Sequence, residues 1–263
     1  MTPVGIDNPL LLTEGLGKRF GGLPALDGVG MALRAGELTA LIGPNGAGKS
    51  TLINCLTGLL RPDTGSIRFD GRELTALPAH RVARLGITRT FQNLRLFPRL
   101  TVLENVLCGL SGEAGDSFLE AFLRTPALRH RERRLKLTAL EALDGVGLSA
   151  LADYPAGALS YGDRKRLELA RAFVSRPRLL LLDEPVAGLN ADETERVGAL
   201  IRQFRRAGIT MLLVEHDMDL VMSVSDRVLV LDGGRLIAEG PPADVQRNPL
   251  VLEAYLGKMS VTA

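Results

Sequence analysis

The 263-residue sequence holds only two cysteines and three histidines. Cys55 and Cys108 are too few for a disulfide framework and lack the spacing of a thiolate metal site. Each reads as a small buried hydrophobe. His80, His130 and His216 lie far apart in the sequence, which speaks against zinc. No apolar run reaches about 18 residues, so no transmembrane helix is expected. The opening residues, MTPVGIDNPLLL, lack the basic-then-apolar order of a secretory signal. Charge of one sign is scarce too. Lys and Arg number 32 against 30 Asp and Glu, which supplies no basic field for nucleic acid. A cytoplasmic, soluble protein is the expectation.

What is present is enough for a core. Apolar residues make up 46% of the chain and charged residues 24%, so gross disorder is excluded. The length suits one α/β domain with an insertion. Short apolar runs alternate with helical patterns. Leu38 to Ile42, Leu179 to Asp183, Ile209 to Val214 and Val228 to Leu231 read as buried strands, too short for helices. Ser66 to Phe69 reads as a further short strand. Arg235 to Glu239 reads as the second arm of a hairpin across Asp232, Gly233 and Gly234. Strands separated by helices predict a mostly parallel sheet.

The middle differs. Leu103, Val106, Leu107 and Leu110 repeat at helical spacing, and a second helical pattern covers Arg131 to Val146. No strand is evident from about Leu103 to Leu159. The chain is therefore expected to be one domain over 11–256. Its α/β core takes 11–92 and 160–240, a helical subdomain is inserted at 93–159, and a helical tail follows at 241–263.

Two motifs carry chemistry. Gly43, Pro44, Asn45, Gly46, Ala47, Gly48, Lys49 and Ser50 match the phosphate-loop pattern in full, between a strand and a helix, with Thr51 next. Glycines let the backbone curl until successive N–H groups face phosphates. The following helix adds the positive end of its dipole. Lys49 brings a point charge to the β- and γ-phosphates, and Ser50 brings an oxygen to Mg²⁺. The upstream stretch Gly15 to Gly22 only imitates a dinucleotide fingerprint, because Phe20 stands at the third glycine position. Downstream, Asp183 and Glu184 end a buried strand before Pro185. Ligands of open α/β sheets lie beyond the carboxyl ends of strands, which puts Asp183 near the Mg²⁺ of Ser50. Glu184 is then placed to orient a water against the γ-phosphate.

Between these motifs, Leu159-Ser160-Tyr161-Gly162-Asp163 opens a helix with a Ser cap. In company with the other two motifs it resembles the signature of ABC ATPases, and several motifs follow in family order over about Leu11 to Leu256. The resemblance implies a P-loop NTPase core with an N-terminal antiparallel β element and the inserted helical subdomain. It implies that Phe20 stacks on adenine. Gln92 would touch Mg²⁺ and the attacking water and sense a membrane subunit. Ser160 and Gly162 would bind the γ-phosphate of ATP held by a second ATPase subunit. His216 would hydrogen-bond the γ-phosphate as a switch histidine. ATP and Mg²⁺ are the implied cofactors. Integral membrane permease subunits and, indirectly, a solute-binding protein are the implied partners.

Tyr161 stands where Gly is commonest in that family, Asp163 where Gln is, and Asn190 where Asp is. The hydrogen-bond roles at Asp163 and Asn190 are left open by these departures. Together with Arg89 to Phe97, Glu215 to Met218 and the tail Asn248 to Gly257, the departures resemble the ATPase subunits of branched-chain amino acid importers. An importer for urea, an amide or an aromatic acid is the alternative, followed by a non-transport ABC ATPase. The basic cluster Arg129 to Arg134 with Lys136 reads as a solvated helix face.

Overall fold

The computed structural model of the chain describes residues 8–90, 94–110 and 126–256. In chain order the first elements are β1 (Leu11–Phe20), β2 (Leu23–Leu33), β3 (Leu38–Ile42), α1 (Lys49–Leu56), β4 (Thr64–Phe69), β5 (Arg72–Glu73), α2 (Ala79–Arg84) and β6 (Ile87–Arg89). Next come α3 (Val102–Gly109), α4 (Pro126–Gly145), α5 (Tyr161–Phe173), β7 (Leu179–Asp183), α6 (Ala191–Arg206) and β8 (Thr210–Val214). The last are α7 (Met218–Val224), β9 (Arg227–Asp232), β10 (Arg235–Gly240), α8 (Pro242–Gln246) and α9 (Pro249–Leu256). None of the described helices is long and apolar enough to cross a membrane.

Two compact units emerge. The chain up to Arg89, Arg178–Glu184 and the chain from Ile201 form the first; Thr90–Pro177 and Pro185–Leu200 form the second.

The first unit is α/β. Its six-stranded sheet runs β10-β9-β3-β8-β7-β6. The five strands from β9 to β6 are parallel, and β10 closes the edge antiparallel to β9. Strands β3, β7 and β8 are buried at every residue. That is why they read as mostly apolar runs, Thr39, Asp183 and Thr210 apart: a parallel strand has helices or sheet on both faces. Side chains of β3 alternate between two clusters, as a pleated strand requires. Leu41 packs with Leu52, Ile53 and Leu56 of α1. Ala40 and Ile42 face the opposite way, toward Val221, Val245 and Val251 of α7, α8 and α9. A second sheet, β2-β1-β4-β5, is antiparallel throughout. The expected hairpin across Asp232–Gly234 is β9–β10, and the expected N-terminal antiparallel element is β1–β2.

The second unit is helical. Val102 and Val106 of α3, Ala139 and Leu143 of α4, and Leu167 and Ala170 of α5 are fully buried. The Thr101 hydroxyl and the Glu104 carboxylate cap α3 reciprocally, a pairing that satisfies two otherwise orphaned N–H groups. The buried Asn105 side chain accepts from the Phe97 N–H and donates to the Phe97 and Thr101 carbonyls, fixing the chain that leads into α3. Residues 131–136 are mostly exposed along α4.

The grouping of segments differs from the pattern in the sequence. That pattern assigns 160–240 whole to the α/β core and ends the helical insertion at 159. In the structure α5 packs on α3 and α4, so the signature segment and the loop after β7 belong with the helices. Apolar spacing shows that α5 has a buried face. It does not show which element covers that face.

Candidate nucleotide site

The phosphate loop leaves the carboxyl end of β3 and enters α1. Gly43 and Gly48 have φ of 151° and 106°, a region closed to residues with a Cβ. A Cβ at Gly43 would collide with the Leu231 carbonyl, and one at Gly48 with the Ala25 carbonyl. Both glycines are therefore fixed by neighbouring backbone as well as by the turn. The loop is braced from outside: the Gly234 N–H donates to the Ala47 carbonyl at 2.9 Å. Lys49, Ser50 and Thr51 form the first turn of α1, with Gly48 as its left-handed cap. The Lys49 ammonium is nearly buried and donates to the carbonyls of Gly43 and Pro44 at 2.6 and 3.1 Å. Asn45 and Gly46 are exposed, and Pro44 is half-buried.

Two strands along, β7 ends at Asp183. Its carboxylate accepts from Arg89 Nη2 at 2.6 Å, and Arg89 Nη1 donates to Asn54 Oδ1 at 2.6 Å. Both members of the Arg89–Asp183 pair are almost fully covered. Parallel pairing makes the contact possible, because β6 lies directly beside β7 in register. Nothing in the sequence motif names Arg89 as this partner; its place at the end of a short strand is the only signal.

Glu184 holds φ of 49°, an uncommon conformation for a residue with a side chain and one that recurs at functional sites. Its N–H donates to the Val214 carbonyl at 2.8 Å, and its Oε1 lies 2.9 Å from His216 Nε2. His216 is set between two fixed points. The buried Glu215 carboxylate accepts the His216 N–H at 2.9 Å, and Asp217 caps α7 through the Leu220 N–H. Glu215 is a positioning residue that the motif reading does not single out.

Ser50 and Asp183 offer a hydroxyl and a carboxylate. These are hard oxygen donors of the kind Mg²⁺ takes alongside phosphates and water. The donor set therefore fits the ion. Gln92, the third expected contact, lies outside the described residues.

Phe20 ends β1 and is 51% exposed, with Lys18 Nζ 5.8 Å from its ring centroid. It is not a core residue of the first hairpin. Ser160 and Gly162 lie in the helical unit. The Ser160 hydroxyl caps α5 by accepting the Asp163 N–H at 3.1 Å. The two open positions have local roles there. Asp163 pairs with Arg166. Asn190 and Glu193 cap α6 reciprocally, at 3.0 and 3.1 Å.

Tyr255 of α9 packs beside Ile42 and Ala40. Burial raises the pKa of its hydroxyl, and a backbone hydrogen bond at Gly43 opposes the rise.

A glycine loop with a buried lysine at a strand's carboxyl end, beside an acidic strand terminus with a carboxylate–histidine pair, defines a P-loop nucleotide-binding cassette. The family model described as "ABC transporter" matches residues 26–187, and one described as "Branched-chain amino acid ATP-binding cassette transporter" matches residues 235–259. The chain belongs to the ABC transporter family, as one of its ATPases. It is 46% identical to the high-affinity branched-chain amino acid transport ATP-binding protein BraF of Pseudomonas aeruginosa, over 96% of this chain and 100% of that protein. It is 43% identical to the corresponding LivG protein of Escherichia coli, with the same coverage. Among solved structures, an ADP-form cassette of an ABC transporter superposes with a TM-score of 0.82 at 35% identity, covering 95% of this chain and 100% of that one. A nucleotide-free cassette gives 0.81 at 35%, covering 94% and 98%.

Proposed function

We propose that this chain is the ATP-hydrolysing subunit of an importer for branched-chain amino acids, peripheral on the cytoplasmic face and bound to permease subunits. The observation that carries the cargo is its nearly full-length likeness to transport subunits named for those amino acids. The further match in the tail agrees with it.

The site's residues divide the work. Backbone N–H groups of the 43–51 loop cradle the phosphates, with the α1 dipole behind them. Lys49 exchanges its loop carbonyls for phosphate oxygens. Phe20 offers an exposed ring to the adenine. Ser50 and Asp183 hold Mg²⁺, with Gln92 as the remaining contact. Mg²⁺ held by these residues would supply positive charge against the phosphates. Glu184 orients the attacking water and accepts its proton. His216, 2.9 Å from Glu184, hydrogen-bonds the γ-phosphate and holds the carboxylate in place.

A second ATPase subunit, the same chain or a close relative, completes each site with Ser160 and Gly162. ATP closes the pair because its γ-phosphate engages both subunits, and hydrolysis removes that shared ligand. The permease subunits receive this motion, and a solute-binding protein delivers the cargo to them.

Uptake of labelled leucine, isoleucine and valine tests the cargo, comparing wild type with Lys49→Ala at matched protein level. Selective loss of these three is expected. Unchanged uptake removes the cargo assignment. Sizing Glu184→Gln with Mg-ATP tests pairing: a stable dimer is expected, and a monomer at saturating ATP excludes self-pairing.

A further inference from the structure

The signature segment and the loop after β7 are joined by a side chain that neither motif demands. Tyr161 opens α5, and its hydroxyl donates to the Ala187 carbonyl at 3.2 Å. Its ring rests on the next residue: a Cβ at Gly188 would lie 3.4 Å from a ring carbon. Arg164 and Lys165 stand 5.7 and 5.9 Å from the ring centroid, within reach of cation–π attraction. The ring is 39% exposed, so burial alone does not account for its placement.

The loop it touches is held along its length. Pro185 has a locked φ. The Leu189 N–H closes a turn onto the Val186 carbonyl at 3.1 Å. The Asn190–Glu193 cap fixes the far end to α6. The signature segment meets α6 a second time, where Glu193 fills the space that a Cβ on Gly162 would need. Three residues before Ala187 is Glu184, held at a positive φ.

We infer that Tyr161 is a positioning residue that couples the signature segment to the catalytic acid of its own chain. The inference rests on the reading of Ser160 and Gly162 as contacts to ATP held by the second subunit. When those residues engage that γ-phosphate, the Tyr161 strap sets the loop from Pro185 to Leu189, and with it the backbone of Glu184. Occupancy of one site thereby tunes hydrolysis at the other. The tyrosine at this position does the work of a strap where a glycine would leave the two segments unlinked.

The test is steady-state ATP hydrolysis by the full chain assembled with its partner ATPase and permease subunits. Tyr161→Phe keeps the ring and removes one hydrogen bond. Its kcat is expected to fall about three- to tenfold, with a Hill coefficient for ATP approaching one. KM is expected to stay within about twofold and the thermal midpoint unchanged, a split that loss of folding does not produce. Wild-type kcat and Hill coefficient in Tyr161→Phe overturn the strap. Ser160→Arg separates the two readings. If it is inactive while Tyr161→Phe behaves as wild type, only the strap fails. If Ser160→Arg hydrolyses at the wild-type rate, the signature reading fails and the strap with it.

Discussion

His216 Nε2 stands 2.9 Å from Glu184 Oε1, each presented from the end of a different parallel strand. The contact puts a carboxylate and an imidazole within hydrogen-bond reach, the arrangement that the proposed base and its orienting group require. Glu184→Gln is expected to slow hydrolysis by roughly 100-fold or more while ATP still binds. Single-turnover rates beside equilibrium binding measure both.

Residues that act as a unit give non-additive losses. His216→Ala alone is expected to slow hydrolysis by at least about tenfold. Adding it to Glu184→Gln is expected to cost almost nothing more. A double variant slower by the product of the two single effects would show that the pair does not act together.

Arg89 neutralises the almost fully covered Asp183. Removing one member of such a pair strands the other charge. Arg89→Ala is expected to lower stability by about 3 kcal/mol, seen in chemical denaturation without nucleotide. Adding Asp183→Asn is expected to restore part of the loss, since the stranded charge is then gone.

Burial in α1 raises the Cys55 thiol from 9.0 to about 11. Between those values the unfolded chain sheds a proton that the folded chain keeps. Stability therefore falls as pH rises from 9 to 11, by about 2–3 kcal/mol in all. Cys55→Ala is expected to flatten that part of the profile. Denaturation series on both proteins across the window supply the comparison.

The phosphate loop and the acidic strand end are legible because their chemistry demands residue types at fixed spacing. Gly43, Gly48 and Lys49 have few substitutes. Strands β3, β7 and β8 are legible because burial on both faces leaves mostly apolar residues. Arg89 is another matter. Its partner Asp183 lies 94 positions away, and only the sheet order brings the two side by side. Tyr255 packs against the cluster of Ile42 across a still longer separation, with an ordinary aromatic in a helical tail as the sole hint. Tyr161, Asp163 and Asn190 are visible as departures from a pattern. Arg166 and Glu193 stand three positions from their partners, a local helical and capping spacing, whereas Ala187 lies 26 positions from Tyr161 and is visible only in three dimensions.

The sheet order also bears on how the chain is made. Strand β3, which carries the phosphate loop, pairs with β8 on one side and β9 on the other. Both neighbours leave the ribosome long after it does. Until then a fully buried strand has no permanent partner on either edge, and loop closure over most of the chain must precede its pairing. Emerging chains thus pass through a stage with the nucleotide loop unsupported and strand edges open to aggregation. Holding factors at the ribosome would act on that stage, and ATP can stabilise the cassette only once β9 is in place.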